Sequence, residues 1–324
     1  MQHLWDLVSA SLPDSLPDSL PENLPENLPE NLLVRRLLIL YAPLVGWVGL
    51  GIWLGKVLPP KIPLRLGQFL FWLGVPLSIF IFLRQADLSA GIWLAPIASW
   101  IAIALGATLA ALWLKLTHPL APRPSQGSFL LSAMVGNTGY LGYPVILALV
   151  GQTYFGWAVF YDTLGSTLGA YGLGVVLAAR FGGQAPKMSQ LFLALVNNPA
   201  LWSFGLGLGM RAIAFPVWLE DFFHGCAWVM IALALLLIGM RLSQIQSWQN
   251  VKVAIASLTI KMLIVPLILG FVLAAFGVSG EPLLVLVLQM GMPPAFATLV
   301  IAEAYHLDRG LTVTSLAIGS AALL

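Results

Sequence analysis

From residue 37 onward the chain repeats one pattern, long runs of apolar residues separated by short polar or charged breaks. Crossing about 30 Å of hydrocarbon at about 1.5 Å per residue takes about 20 residues in a helix. Runs of that order predict membrane-spanning helices over 37–58, 66–84, 91–114, 128–150, 154–180, 191–213, 219–240, 251–277, 283–305 and 310–324, ten in all. The last holds only 15 residues. It reaches about 22 Å, so it is expected to tilt or stop below one surface.

Two runs violate helix rules in their interior. The segment Gly136-Asn137-Thr138-Gly139-Tyr140-Leu141-Gly142-Tyr143-Pro144 lies within 128–150, and Gln289-Met290-Gly291-Met292-Pro293-Pro294 lies within 283–305. Glycine lowers helix propensity, and proline removes an amide donor and clashes with the carbonyl one turn back. Breaks are therefore expected at Gly136, Gly142, Pro144 and Gly291. An unpaired backbone group in hydrocarbon costs several kcal/mol, so such breaks survive only against protein or a water-filled cavity.

The two halves repeat. Gly51 and Gly55 fall on Gly205 and Gly209 at an offset of 154, and Gly136 falls on Gly291 at 155, which sets the first break on the second. Five helices per half is an odd number, so the halves must cross the membrane in opposite directions. The expected fold is an all-α polytopic membrane protein, a 5+5 inverted repeat with helices 4 and 9 broken and crossing, and paired broken helices point to a binding site. The domains follow as a tail over 1–36, a first repeat over 37–180, a short cytoplasmic loop over 181–190 and a second, inverted repeat over 191–324. The tail carries a Leu-Pro-Asp/Glu unit every four residues between 11 and 30. That spacing of prolines forbids a regular helix and predicts an extended, disordered acidic segment.

The loops give the orientation. With the N-terminus outside, ten Lys and Arg (Lys56, Lys61, Arg65, Lys115, Arg123, Arg180, Lys187, Arg241, Lys252, Arg309) lie on the inner side and four (Arg35, Arg36, Arg84, Arg211) on the outer. The positive-inside rule then predicts both termini outside a plasma (inner) membrane.

Composition agrees with this class: 59% hydrophobic and 9% charged residues, against about a quarter charged in soluble domains. Net charge of +2 gives no reason to expect nucleic acid as a partner, and four scattered histidines share no metal-ligand spacing, so neither metal nor cofactor is expected. No phosphate-binding loop, nucleophile motif or histidine cluster supports an enzyme. Twelve tryptophans are assigned to interfacial belts. The glycines Gly51, Gly55, Gly205, Gly207 and Gly209 are assigned to close helix packing.

Few polar groups remain to carry chemistry. Asn137, with Thr138 and Gly139, sits at the first break, where its amide either contacts a ligand or caps the half-helix that starts there. Pro293 and Pro294 leave carbonyls free beside Met292 and Gln289, and those carbonyls bind water, a cation or a substrate hydroxyl, or are repaired by neighbouring helices. Asp162 is an intramembrane carboxylate and so a candidate for proton or ion coupling. Lys261 lies near the middle of 251–277, the only basic residue so deep, and either pairs with an acid across the bundle or attracts an anionic substrate. Arg84, Asp87, Glu303, His306, Asp308 and Arg309 read as anchors of helix ends.

At these residues the chain resembles the auxin efflux carrier family, which includes plant auxin exporters and bacterial permeases for malate- or malonate-like acids. The resemblance spans about 37–324 and rests on Gly136 to Pro144, Asn197-Asn198-Pro199, Leu236-Leu237-Ile238-Gly239-Met240-Arg241-Leu242, and Gln289 to Pro294 with Glu303-Ala304-Tyr305. It implies ten helices, with 1, 2, 6 and 7 as a scaffold that often forms a homodimer. Helices 3–5 and 8–10 would form a moving part with elevator-like alternating access, and Asn137 would contact the substrate carboxylate. Three departures stand out: the long hydrophilic loop of plant members is absent, Val229-Met230-Ile231 replaces a proline opposite Pro76, and the tenth span is short.

The expected function is export of a small organic anion, a carboxylate, by a secondary permease in the lipid bilayer. The alternatives are a proton- or sodium-coupled importer of organic acids, and a receptor or sensor that uses the same cavity without transport.

Overall fold

The computed structural model describes residues 30–59, 61–86, 88, 90–183, 188–243 and 250–323. The Leu-Pro repeat and Asp87 lie outside them, and so does part of the 181–190 loop. Among the described residues the chain is all helix, with a single isolated bridge between two residues and no strand. In chain order the elements are α1 Glu30–Val57, α2 Lys61–Gln85, α3 Gly91–Thr117, α4 Arg123–Met134, α5 Gly142–Leu149, α6 Phe155–Phe181 and α7 Met188–Val196. They continue with α8 Pro199–Gly209, α9 Val217–Ser243, α10 Val251–Ala275, α11 Gly280–Met290, α12 Phe296–Ala304 and α13 Arg309–Leu323. Five of these, α2, α3, α6, α9 and α10, are long and apolar enough to cross a membrane.

Several expected boundaries move. The helix expected from 37 starts at Glu30, so residues 30–36, assigned to the tail, are helical. The tail's helix-breaking prolines stop at Pro29, one residue earlier. The first break occupies 135–141 rather than 136–144. Gly142 opens α5 and Pro144 lies in its first turn, where a missing amide donor costs no intrahelical bond. The run 191–213 is split as well, a third break that hydropathy alone does not show. Asn198 takes an extended backbone there and its side chain accepts the Ala200 amide at 3.0 Å, with Pro199 as the first helical residue.

Pro76 does not break α2. The π-helical turn Leu70–Gly74 precedes it and absorbs the extra space the ring needs. Similar turns cover Tyr161–Thr167 in α6 and Thr259–Ile264 in α10. The two intramembrane charges, Asp162 and Lys261, both lie in them.

Helix α1 packs along α9 through glycines: a Cβ on Gly239 would lie 2.1 Å from the Val48 carbonyl oxygen and 2.8 Å from Gly51 Cα. Gly51 and Gly55 face α9 as closely. Gly205 and Gly209 do not pack this way, since no atom lies within 4 Å of a Cβ built there. The helix ends are tied by polar groups. Asp308 accepts the Leu311 amide at 3.0 Å and the Ser125 hydroxyl at 2.7 Å, so it caps α13 and joins it to α4. Arg84 donates to the Met210 carbonyl at 3.2 Å and lies 3.6 Å over the Phe215 ring, which fixes the α8–α9 loop to α2.

Candidate functional site

The two breaks cross. Val135 leaves α4 in an extended conformation, and Ala295 is extended as it enters α12. Between them Gly136 and Pro294 face each other as an antiparallel pair. The Asn137 amide donates to the Pro293 carbonyl at 2.7 Å, and the Ala295 amide donates to the Val135 carbonyl at 3.1 Å. Each break thus supplies the hydrogen bonds that the other lacks, which is how extended backbone persists inside the bundle. The carbonyls expected to be free, those of the turn before Pro293 and Pro294, are taken too: that of Gln289 accepts the Met292 amide at 3.3 Å and that of Met290 accepts the Lys261 ammonium.

Asn137 is buried, and its carboxamide nitrogen has no hydrogen-bond acceptor in the protein. It does not cap α5, whose N-cap is Leu141 without a side-chain bond. Its main-chain carbonyl instead accepts the Gly142 amide at 3.0 Å and closes the turn. Thr138 donates its hydroxyl to Asp162, and Tyr143 donates to the other carboxylate oxygen at 2.8 Å. The first break, through Thr138, and the first turn of α5, through Tyr143, are thereby both bonded to the π turn of α6.

Gln289 bridges the crossing from behind, its amide nitrogen 3.3 Å from the Thr138 carbonyl and 3.4 Å from that of Ala158. Gly142 makes room for it, since a Cβ there would lie 2.3 Å from the Gln289 oxygen. Lys261 pairs with no acid among the described residues. Its ammonium donates to the Met290 carbonyl at the C-terminus of α11, where the helix dipole favours a cation, and its chain lies against Gly136.

A cavity of about 290 Å³ opens on one side of the crossing. Of the residues singled out in the sequence, Gly136, Asn137, Thr138, Gly139 and Asp162 line it. Lys261, Gln289, Gly291, Met292, Pro293 and Pro294 are not on its wall and support the crossing from the other side; Gly142 and Pro144 belong to α5. The second break contributes Ala295 and Phe296 instead. The rest of the wall comes from the first half of α2, with Gln68 and Trp72, from the second half of α6, with Tyr171, and from Asn198.

One wall residue was read otherwise in the sequence. Arg241, counted there as an inner-side charge, lines the cavity from the last turn of α9, its guanidinium 4.3 Å over the Phe296 ring. Gly67 leaves the space, because a Cβ on it would lie 2.6 Å from the guanidinium. The available signal was that the helical pattern runs past Arg241, which places it on a helix and not in a loop.

The sequence profile of a family described as membrane transport protein matches residues 36–190 and 184–324. The chain is 31% identical over 238 residues to an uncharacterized transporter of Methanothermobacter thermautotrophicus, covering 72% of this chain and 76% of the relative. It is 26% identical over 195 residues to an uncharacterized transporter of Methanocaldococcus jannaschii, covering 59% of this chain and 62% of that relative.

Proposed function

The chain belongs to the membrane transport protein family, that of the auxin efflux carriers, and from that premise we propose that it is a secondary carrier exporting a small organic anion, a carboxylate. It is a multi-pass membrane protein. The observation that carries the proposal is the hydrogen-bonded crossing of two broken segments beside a cavity of about 290 Å³, lined by Asn137, whose buried amide nitrogen lacks a protein acceptor. Paired interrupted helices are where transporters bind substrate, and a buried donor without an acceptor favours a ligand that brings one.

In this reading ten spans form two inverted halves, the split pairs α4/α5, α7/α8 and α11/α12 each counting as one. Elements α3–α6 and α10–α13 move against α1, α2 and α7–α9, which also offer the surface for a homodimer. The cavity is walled by the start of α2, the start of α8 and the end of α9, the ends marked by Lys61 and Arg241. By the positive-inside rule these ends are cytoplasmic, so the cavity receives substrate from inside. An inside-negative potential then drives the anion out without a coupling ion.

A proton-coupled importer is a second reading, favoured by one observation: Asp162 stands on the same wall, bonded to the first break through Thr138 and to α5 through Tyr143. The carrier reading is tested by loading proteoliposomes that hold the full chain with labelled mono- and dicarboxylates. Saturable efflux is expected with at least one of them. Saturable binding without flux of any acid would identify a sensor instead.

A further inference from the structure

We propose that Arg241 selects for negative charge, its guanidinium taking the carboxylate of the substrate in the cavity beside the crossing. The proposal rests on the carrier reading and deepens it. Among the described residues, two charged side chains line the cavity, Asp162 and Arg241. Asp162 is already committed, both of its oxygens accepting a hydroxyl. Arg241 is not: among the described residues it joins no ion pair and makes no hydrogen bond, and its contact is the face of Phe296. A guanidinium carries five donors in a planar fork that matches a carboxylate. Asn137 lines the same wall, and its buried amide nitrogen likewise lacks an acceptor. Unused guanidinium donors on the wall, a buried amide without an acceptor in the neighbouring Asn137, and an acid that is already bonded fit a ligand rich in acceptors and negatively charged.

Position adds a second reason. Arg241 belongs to α9, whereas Phe296 opens α12 directly after the second break, so the stacked pair bridges an unbroken helix and a crossing one. An anion that draws the guanidinium away from the ring would load the cavity and release that bridge in one event.

The test uses the full chain in lipid nanodiscs and two acids with their neutral amides: benzoate with benzamide, and malonate with malonamide. At least one acid is expected to bind wild type more than tenfold tighter than its amide, as about one to two decades of affinity follow from hydrogen bonds to a charged group. In Arg241→Gln that acid should fall to the level of its amide while amide binding is unchanged. Arg241→Lys should retain part of the preference, since an ammonium keeps the charge and loses the fork. An unchanged acid preference in Arg241→Gln overturns the assignment and leaves the carrier reading intact if efflux persists. Wild type that binds acid and amide alike, or neither, also overturns it, and the efflux assay then decides the carrier reading separately. If Arg241→Gln fails to insert, Arg241→Lys decides: weaker acid with unchanged amide supports the proposal, and an equal loss of both sinks it.

Discussion

The carboxamide of Asn137 donates to nothing in the protein, so its removal takes away little that holds the fold. Replacing a cap would instead cost about 1 kcal/mol. Asn137→Ala is therefore expected to lower carboxylate flux at least about tenfold, the scale of one lost ligand hydrogen bond, and to leave the melting temperature within about 2 °C. Retained flux with a fall in melting temperature would make the residue structural. Asn137 and Asp162 were legible in the sequence because a polar group in an apolar run is costly and demands a reason. Their partners were not: Asp162 finds Thr138 at 24 residues and Tyr143 at 19 residues of separation, through a turn whose shape no local pattern shows. Arg241 was hidden for a different reason. A basic residue near a helix end satisfies the positive-inside rule wherever its side chain points, so only the three-dimensional structure separates a surface charge from one on the cavity wall.

Among the elements, both crossing breaks could be placed from glycine and proline alone, because those residues fail in a helix wherever they stand. The register of the crossing could not, since the pairing of Gly136 with Pro294 joins residues far apart in the chain. The split between α7 and α8 escaped hydropathy because the two pieces are apolar on either side of Asn197-Asn198. Glycine spacing was an uneven guide: Gly51 and Gly55 lie against α9, while Gly205, at the matching position, meets nothing. The difference gives a paired test. Gly239→Ala places a methyl 2.1 Å from the Val48 carbonyl oxygen, a backbone atom that cannot turn aside. The α1–α9 pair must separate, at a cost of about 1–3 kcal/mol. Gly205→Ala has room and removes a poor helix former from α8, so it should be neutral or stabilising. Denaturation of the two variants in detergent checks both, and equal destabilisation would contradict the packing described.

For the molecule as a whole, composition and the rhythm of apolar runs were enough to place the chain in a membrane, because no soluble surface can be built from 9% charged residues. What drives transport turns on charge that crosses in a full cycle. Asp162 and Lys261 are the charged side chains buried at depth among the described residues, and any fixed charge that moves with the protein returns with it. Only the substrate and its coupling ions therefore count. An uncoupled monoanion at 100 mV inside negative is worth about 2.3 kcal/mol, which sets an outside-to-inside ratio of about 50 at equilibrium. One proton moving with each anion cancels the charge, and at equal pH the ratio stays at about one. Proteoliposomes clamped with potassium and valinomycin at equal pH should reach the high ratio for a labelled singly charged acid. A ratio near one in wild type that rises toward about 50 in Asp162→Asn would assign the proton to Asp162 and replace export by coupled uptake. A high ratio in both leaves Asp162 to its bonds with Thr138 and Tyr143, as the group that holds the first break and the start of α5 against α6.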